Sequence, residues 1–184
     1  MPATPFHLPP SAVAAWPLRR QLDVPSVLFA NLTIDIEPGL AMLFDLGPPP
    51  HGFAHTLLGG TLVGAATGAL LWRSQGWIGS VLGGDYPLRP GVAMVSGAAG
   101  CWLHVLLDSV MYDHLRPFFP LEANPLYVAG SGDALHLLGT LLIVPALALV
   151  VHARAWRSVP DKLTLGLLGL SALWMAVYAA IGRV

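Results

Sequence analysis

The sequence predicts an all-α fold: a polytopic membrane bundle of about five transmembrane helices, preceded by a short N-terminal helix. Two observations predict it. Of the 184 residues, 55 % are hydrophobic and only 10 % are charged, whereas a soluble domain carries about 25 % charged residues. The mean hydropathy is +0.66, and the apolar residues are gathered into runs of about 20, the length that crosses a bilayer. Residues 1–184 are therefore expected to form a single integral membrane domain.

The apolar runs define the predicted helices in order. The run 24–46 is long enough to cross a membrane but is interrupted by Pro38. Because proline lacks a backbone donor and disfavours helix in the residue before it, we expect this helix to break near Pro38. Upstream, residues 11–22 predict a short helix that starts with Ser11 as its N-cap. The remaining passes are predicted at 53–72, 91–112, 134–152 and 163–181.

Side chains that bind metals recur at the ends of these apolar runs. His51 and His55 are four residues apart, as are His104 and Asp108, and on a helix such pairs share one face and can bind one cation. Asp35 lies within an apolar run, where a carboxylate costs about 2.5–3.5 kcal/mol unless it faces a cavity, a partner or an ion. A histidine near the N-terminus can reach the same level. The candidate metal ligands are His7, Asp35, His51, His55, His104 and Asp108.

The basic residues predict the orientation of the bundle. If the pass that begins at Val24 runs outward, seven basic residues lie on one side and two, Arg116 and Arg183, on the other. The richer side is expected to be cytoplasmic. The loop 46–51, the C-terminus and all candidate ligands then lie toward the non-cytoplasmic side. The seven basic residues are Arg19, Arg20, Arg73, Arg89, Arg154, Arg157 and Lys162.

Other polar residues have simpler interpretations. A lone histidine in a membrane more often packs between helices than binds a metal, and we interpret His136 and His152 in this way. His114 follows Asp113 in a loop and is expected to be solvated. The net charge of −1 offers no basic surface for nucleic acid, and the single cysteine, Cys101, excludes an intramolecular disulfide and a cysteine-type zinc site.

Four blocks of the sequence resemble the signature of a known family. They are Thr4-Pro5-Phe6-His7, Asp35-Ile36-Glu37-Pro38, His51-Gly52-Phe53-Ala54-His55-Thr56 and His104-Val105-Leu106-Leu107-Asp108. Their order and spacing over residues 4–108 are similar to those of the YdjM-like membrane-bound, metal-dependent hydrolases. That family is related to the zinc-dependent phospholipase C and single-strand nuclease superfamily. Glu37 replaces the family's second Asp, and Gly52 and Ala54 replace its Arg and Thr.

The resemblance implies a metal-dependent hydrolase in a prokaryotic cell membrane. Histidine and carboxylate ligands suit zinc, although another divalent metal is compatible with them. The candidate ligands outnumber the three or four that one zinc needs, which predicts two ions bridged by Asp35 or Asp108. Asp35 and Glu37 are the candidate catalytic carboxylates, with Glu37 as the general base.

Three further residues are predicted to contact the substrate. Arg116 lies at the outer mouth and can pair with a lipid phosphate. Asn124 and Tyr127 are expected to line the entrance. The leading interpretation is therefore a hydrolase of a phosphoester or ester in a lipid or lipid-linked substrate, working at the non-cytoplasmic face of the lipid bilayer without nucleic acid.

Two other classes of protein are compatible with the same cluster. A transporter for metal ions or small solutes would bind the ion as cargo, but transporters tend to show inverted repeats and paired broken helices, and only one broken helix is predicted. A structural protein stabilised by metal would bind zinc without turnover. The sequence does not predict the oligomeric state.

Overall fold

The computed structural model describes residues 4–47, 51–152 and 158–181, in which all regular elements are helices and there is no strand. Residues 48–50 of the predicted outer loop, together with Arg154, Arg157 and Arg183, lie outside this described part. The all-helical fold class is therefore confirmed. The helices are α1 Thr4–Ala15, α2 Val24–Thr33, α3 Ile36–Leu43, α4 Leu57–Leu82, α5 Pro90–Met111, α6 Gly132–His152 and α7 Val159–Ala180, with 3₁₀ turns at Trp16–Leu18 and Phe53–His55.

Four of the described segments are long and apolar enough to cross a membrane, judged by length and composition. They are Val24–Leu43, which joins α2 and α3, and the helices α5, α6 and α7. The fifth predicted pass corresponds to α4, which is 26 residues long but is not among the four. Several glycines and the polar residues Arg73 and Gln75 make α4 less apolar than the others.

The predicted break lies slightly before Pro38, between Thr33 at the end of α2 and Ile36 at the start of α3. Pro38 has no N–H for the carbonyl of Ile34 four residues earlier, and its ring would clash with that carbonyl in a continuous helix. The chain is therefore interrupted at Ile34 and Asp35, which places the Asp35 carboxylate at the break.

The N-terminal helix begins earlier than the predicted start at Ser11. It spans Thr4–Ala15, so His7 lies on α1 and not in front of it. Ser11 is not an N-cap, because its hydroxyl lies 3.1 Å from the side-chain oxygen of Asn31 on α2 and donates to it. The prediction failed because the two prolines were taken to precede the helix, whereas both lie inside it.

Two prolines inside α1 leave two backbone carbonyls without a hydrogen bond within the helix. Pro9 and Pro10 have no N–H and so cannot donate to the carbonyls of Pro5 and Phe6, four residues earlier. The hydroxyl of Ser171 on α7 donates to the Pro5 carbonyl. Gly139 on α6 packs on the Phe6 carbonyl, where a Cβ would lie 2.3 Å from the oxygen. Contacts with other helices thus hold α1, and with it His7, against α6 and α7.

Glycines allow α5 to approach both of its neighbours closely, as small residues do in membrane bundles. A Cβ on Gly64 of α4 would lie 2.3 Å from the carbonyl oxygen of Gly97. On another face of α5, a Cβ on Gly100 would lie 2.2 Å from the carbonyl oxygen of Val27 on α2. The main apolar core lies beside this contact, between α1, α2, α6 and α7. Helix α5 is therefore held in a fixed position between α2 and α4.

Candidate metal centre

Four ligand-type side chains converge at one end of the bundle. Asp35 comes from the break after α2, His55 from the 3₁₀ turn before α4, and His104 and Asp108 from α5. One ligand atom from each lies within 4.8 Å of the other three. The last three side chains are buried, and Asp35 is partly exposed. We call these four residues the inner cluster.

Two histidines and two carboxylates enclose a small volume in this cluster. The Nε2 atom of His104 lies 3.3 Å from Oδ1 of Asp35 and 3.2 Å from Oδ2 of Asp108. The Nε2 atom of His55 lies 3.2 Å and 3.7 Å from the same two oxygens. This donor set suits zinc and other divalent metals that accept imidazole and carboxylate ligands.

Several polar atoms here make no hydrogen bond to the described part of the chain. The Nε2 atoms of His7 and His104 and Oδ1 of Asp108 have polar neighbours at 3.2–3.4 Å but not in the geometry of a hydrogen bond, and the Nδ1 atoms of both histidines make none. Buried polar atoms almost always have partners, because leaving one unsatisfied costs about 1–3 kcal/mol. A bound cation would supply partners for the atoms that face the cluster, so the residues present fit a metal site.

His7 and His51 flank the inner cluster on opposite oxygens of Asp108. The Nε2 atom of His7 lies 3.4 Å from Oδ1, and the Nε2 atom of His51 lies 4.0 Å from Oδ2. Asp108 thus presents one oxygen to His7 and the other to the remaining histidines. The structure brings all the predicted ligands together.

Both flanking histidines are held in the form that binds metals. Burial lowers the pKa of His7 to about 4, against the opposing effect of the Asp108 carboxylate. Burial, reinforced by the neighbouring His55, also lowers the pKa of His51 to about 4. The two rings are therefore neutral near pH 7, and a neutral imidazole has the lone pair that a metal needs.

The pair His51 and His55 does not lie on a helix, contrary to the prediction. His55 ends the 3₁₀ turn, and α4 begins only at Leu57, with Thr56 as its N-cap. The ring centroids are nevertheless 4.7 Å apart. The side chains meet because a tight turn precedes α4, and the spacing predicted their proximity but not their backbone.

Glu37 holds the segment that carries His55. Its carboxylate accepts hydrogen bonds from the backbone N–H groups of Gly52 at 3.1 Å and Ala54 at 3.2 Å, and from Nδ1 of His55 at 3.3 Å. Burial opposes a charge on His55, but hydrogen bonds to Asp35 and Glu37 outweigh it and raise the pKa of this ring. With Nδ1 donating to Glu37, the Nε2 atom faces the cluster and is available to a cation that displaces its proton.

A cavity of about 560 Å³ opens beside the cluster. His51 lies in its wall, and the Nε2 atom of this residue is 4.0 Å from Oδ2 of Asp108. Arg116, the predicted phosphate ligand, also lines the cavity, and its Nη1 atom lies 3.5 Å from Oε1 of the exposed Glu122. Phe53 and Phe119 contribute aromatic rings to the same wall, with their centroids 5.8 Å apart.

Asn124 and Tyr127 are not among the residues that line this cavity, and their place at the entrance to the site stays a prediction. The side-chain amide of Asn124 donates to the carbonyls of Ser109 and Tyr112, each at 2.8 Å, and its oxygen accepts the N–H of Leu126. These bonds complete the C-terminus of α5, whose last carbonyls need partners. Tyr127 is exposed farther along the same loop.

Sequence reasoning missed His114. This residue was predicted to be solvated, and it is exposed, with 32 % of its side chain accessible. The contact of its Nε2 atom with Nδ1 of His51, at 3.0 Å, was not predicted. The one signal in the sequence is its position three residues after the end of α5, at the same end of the bundle as Asp108.

No protein-family model, curated protein or solved structure matches this chain. The resemblance to YdjM-like hydrolases therefore stays a prediction, and the function has to be argued from the geometry of the site.

Proposed function

We propose that this protein is a membrane-embedded, metal-dependent hydrolase that uses zinc or another divalent cation. The inner cluster carries this proposal, because its ligand atoms lie within 4.8 Å of one another. Two of the four residues are carboxylates in segments apolar enough to cross a membrane. Such residues are costly there and usually serve an ion, a partner or a proton path.

The donor set supports more than one ion. The inner cluster would hold one, and His7 lies on the far oxygen of Asp108, which favours a second ion bridged by that carboxylate. When bound, the metal would act as a Lewis acid and would lower the pKa of a water molecule toward neutrality. Asp35 lies against His55 and His104 and is a ligand in this proposal, and Glu37 is the proposed proton acceptor.

The cavity supports an anionic lipid substrate. Arg116 presents a guanidinium that can bind two phosphate oxygens at once, and the rings of Phe53 and Phe119 provide apolar surface beside it. A phosphoester or ester at the headgroup of a lipid, or a lipid-linked compound, would place its polar part near His51 and its chains toward the bilayer. The prokaryotic cell membrane is the proposed location.

Metal analysis and turnover together test the proposal. Protein purified in detergent should contain zinc or another divalent metal, and Asp35→Asn should reduce the content, whereas His152→Asn, which changes an exposed residue at the far end of α6, should not. The metal-loaded wild type should release headgroup phosphate from phospholipid vesicles. Wild-type protein that binds no metal would refute the proposal, and metal flux into proteoliposomes without hydrolysis would favour a transporter.

Accessibility tests the proposed non-cytoplasmic orientation of the site. In a Cys101→Ser background, Ala123→Cys lies in the exposed loop beside the cavity, and Asp85→Cys lies in the exposed turn at the opposite end of α5. A membrane-impermeant thiol reagent added to intact cells should label position 123 and not position 85. The reverse pattern would place the site at the cytoplasmic face.

A further inference from the structure

We infer that His114 is a positioning residue for His51, which it holds in the tautomer and orientation that a metal ligand requires. This inference rests on the proposed metal site. His114 is not itself among the candidate ligands, and its ring does not belong to the inner cluster.

The contact between the two rings is specific in both distance and angle. The Nδ1 atom of His51 lies 3.0 Å from Nε2 of His114. The ring centroids are 5.2 Å apart with an interplanar angle of 25°, so the two rings lie end to end and nearly in one plane, as a hydrogen bond between ring nitrogens requires. Tyr112 adds a third ring, whose centroid is 5.0 Å from that of His51. Tyr112 and His114, which follow α5, thus both contact the ring of His51.

The arrangement of protons decides what this contact does. A neutral imidazole donates from one nitrogen and accepts at the other, so one of the two rings must donate across the 3.0 Å contact. If Nδ1 of His51 donates, its Nε2 atom presents a lone pair toward Asp108, 4.0 Å away. If His114 donates instead, Nε2 of His51 carries the proton and cannot bind a metal. A cation at the cluster therefore selects the first arrangement.

The other ring nitrogen of His114 faces a carboxylate, and this contact favours the same arrangement of protons. With Nε2 accepting from His51, the proton of His114 is on Nδ1, which lies 3.6 Å from Oδ1 of Asp113. That carboxylate is largely exposed and faces solvent. The negative charge of this carboxylate, 3.6 Å from Nδ1, favours a proton on that nitrogen and so the tautomer that His51 requires.

The neighbouring ligand His55 is held in the same way, by a second residue at its Nδ1 atom. Its Nδ1 atom donates to Glu37 at 3.3 Å, and its Nε2 atom faces the cluster. Groups that hold the far nitrogen of a metal-binding histidine fix its tautomer and ring orientation, and their loss typically costs about 10–100-fold in metal affinity. His114 occupies this place for His51, as Glu37 does for His55.

The test compares two substitutions at one position. His114→Phe keeps a flat ring at this position and removes the acceptor, whereas His114→Gln keeps an acceptor that can reach Nδ1 of His51. His152→Phe is the matched control at an exposed histidine away from the site. Binding of Co²⁺ to the purified full chain is measured by competition with a chelator, and thermal unfolding is measured in excess EDTA.

We expect His114→Phe to weaken Co²⁺ binding about 10–100-fold with the number of ions per chain unchanged. His114→Gln should restore most of the affinity, and all variants should unfold with the wild type in EDTA. Wild-type affinity in the Phe variant would overturn the inference and leave the proposed metal site standing. Equal losses in the Phe and Gln variants, or fewer ions per chain, would also overturn it. A wild type that binds no Co²⁺ would refute the metal site as well.

Discussion

The two ends of α2 each carry an aspartate, and the two have opposite surroundings. At the start of the helix, Oδ2 of Asp23 accepts hydrogen bonds from the N–H and hydroxyl of Ser26 at 2.9 and 2.6 Å and from the hydroxyl of Tyr86 at 2.7 Å. Its own N–H donates to Ser96 at 2.8 Å. Beyond the end of the helix, Asp35 lies among histidines, several of whose nitrogens make no hydrogen bond within the described chain.

The difference lies in the chemistry of the partners. Hydroxyl and backbone groups donate to Asp23, and all of them are neutral. Tyr86 in particular keeps its proton, because burial and the adjacent carboxylate raise the pKa of this side chain far above its usual range. The chain thus completes the polar cluster by itself. In the cluster at Asp35, a histidine nitrogen without a proton and a carboxylate oxygen are both acceptors. They satisfy each other only when a proton or a metal ion lies between them.

Asp23 has the surroundings of a structural aspartate, whereas Asp35 has those of the proposed metal ligand. The Asp23 cluster ties α2 to α5 and to the turn that contains Tyr86, which stabilises the bundle. The cluster at Asp35 leaves buried atoms without hydrogen bonds, and such atoms are retained in folded proteins mainly where they serve a ligand or a reaction. Substitutions in the two clusters are therefore expected to affect different measurements.

The largest expected effect is on metal content. Replacing His55 or Asp108 with Ala removes a ligand from the inner cluster and should lower metal affinity by more than the roughly 100-fold upper range typical of residues that only support a ligand. The measurement is the metal content of purified protein after dialysis against a weak chelator. Tyr86→Phe is the control and should retain its metal, since it alters only the Asp23 cluster. Unchanged metal content in both ligand variants would contradict the assignment.

Glu37→Gln is expected to have the next largest effect, on turnover. The variant keeps the size of the side chain and removes the proton acceptor, so hydrolysis of a phosphoester substrate should fall about 10²–10⁴-fold, the usual contribution of general acid–base catalysis. Metal content should stay near that of the wild type, because the amide oxygen of glutamine can still accept the hydrogen bond from Nδ1 of His55. If the variant loses its metal instead, the main role of Glu37 is to hold His55 by its Nδ1 atom, and the base lies elsewhere.

Much of the fold could be predicted because it depends on local patterns. Apolar runs of membrane length predicted the segments that are long and apolar enough to cross, and Pro38 predicted a break, since both effects act within a few residues of chain. His104 and Asp108 were predicted to lie side by side because both belong to one long helix. Asp35 was predicted to join them because a lone carboxylate at that depth needs a partner.

The remaining features depend on contacts between distant segments. The start of α1 could not be predicted, because Pro9 has no N–H to donate to the Pro5 carbonyl. A hydroxyl on the distant helix α7 donates to that carbonyl instead. His114 was missed because its partner His51 is 63 residues away. Asn124 was assigned to the entrance, whereas the carbonyls at the end of α5 engage it, and nothing in its sequence neighbours indicates that bond.

The smallest expected effect is on stability, at the Asp23 end of α2. Tyr86→Phe removes one hydrogen bond to a carboxylate, which typically contributes about 1.5–3 kcal/mol. Saturating metal should stabilise the wild type further, by about 4 kcal/mol at a concentration 1,000 times the dissociation constant. Because Asp23 and Asp35 lie at opposite ends of α2 and share no partner among the contacts described, the two contributions should add.

The check is unfolding in detergent, with and without metal, of the wild type and of Tyr86→Phe. Equal losses in both conditions would show that the clusters are independent, whereas a loss seen only with metal would show that Tyr86 acts on the metal site through α2, which would break the distinction between the two ends.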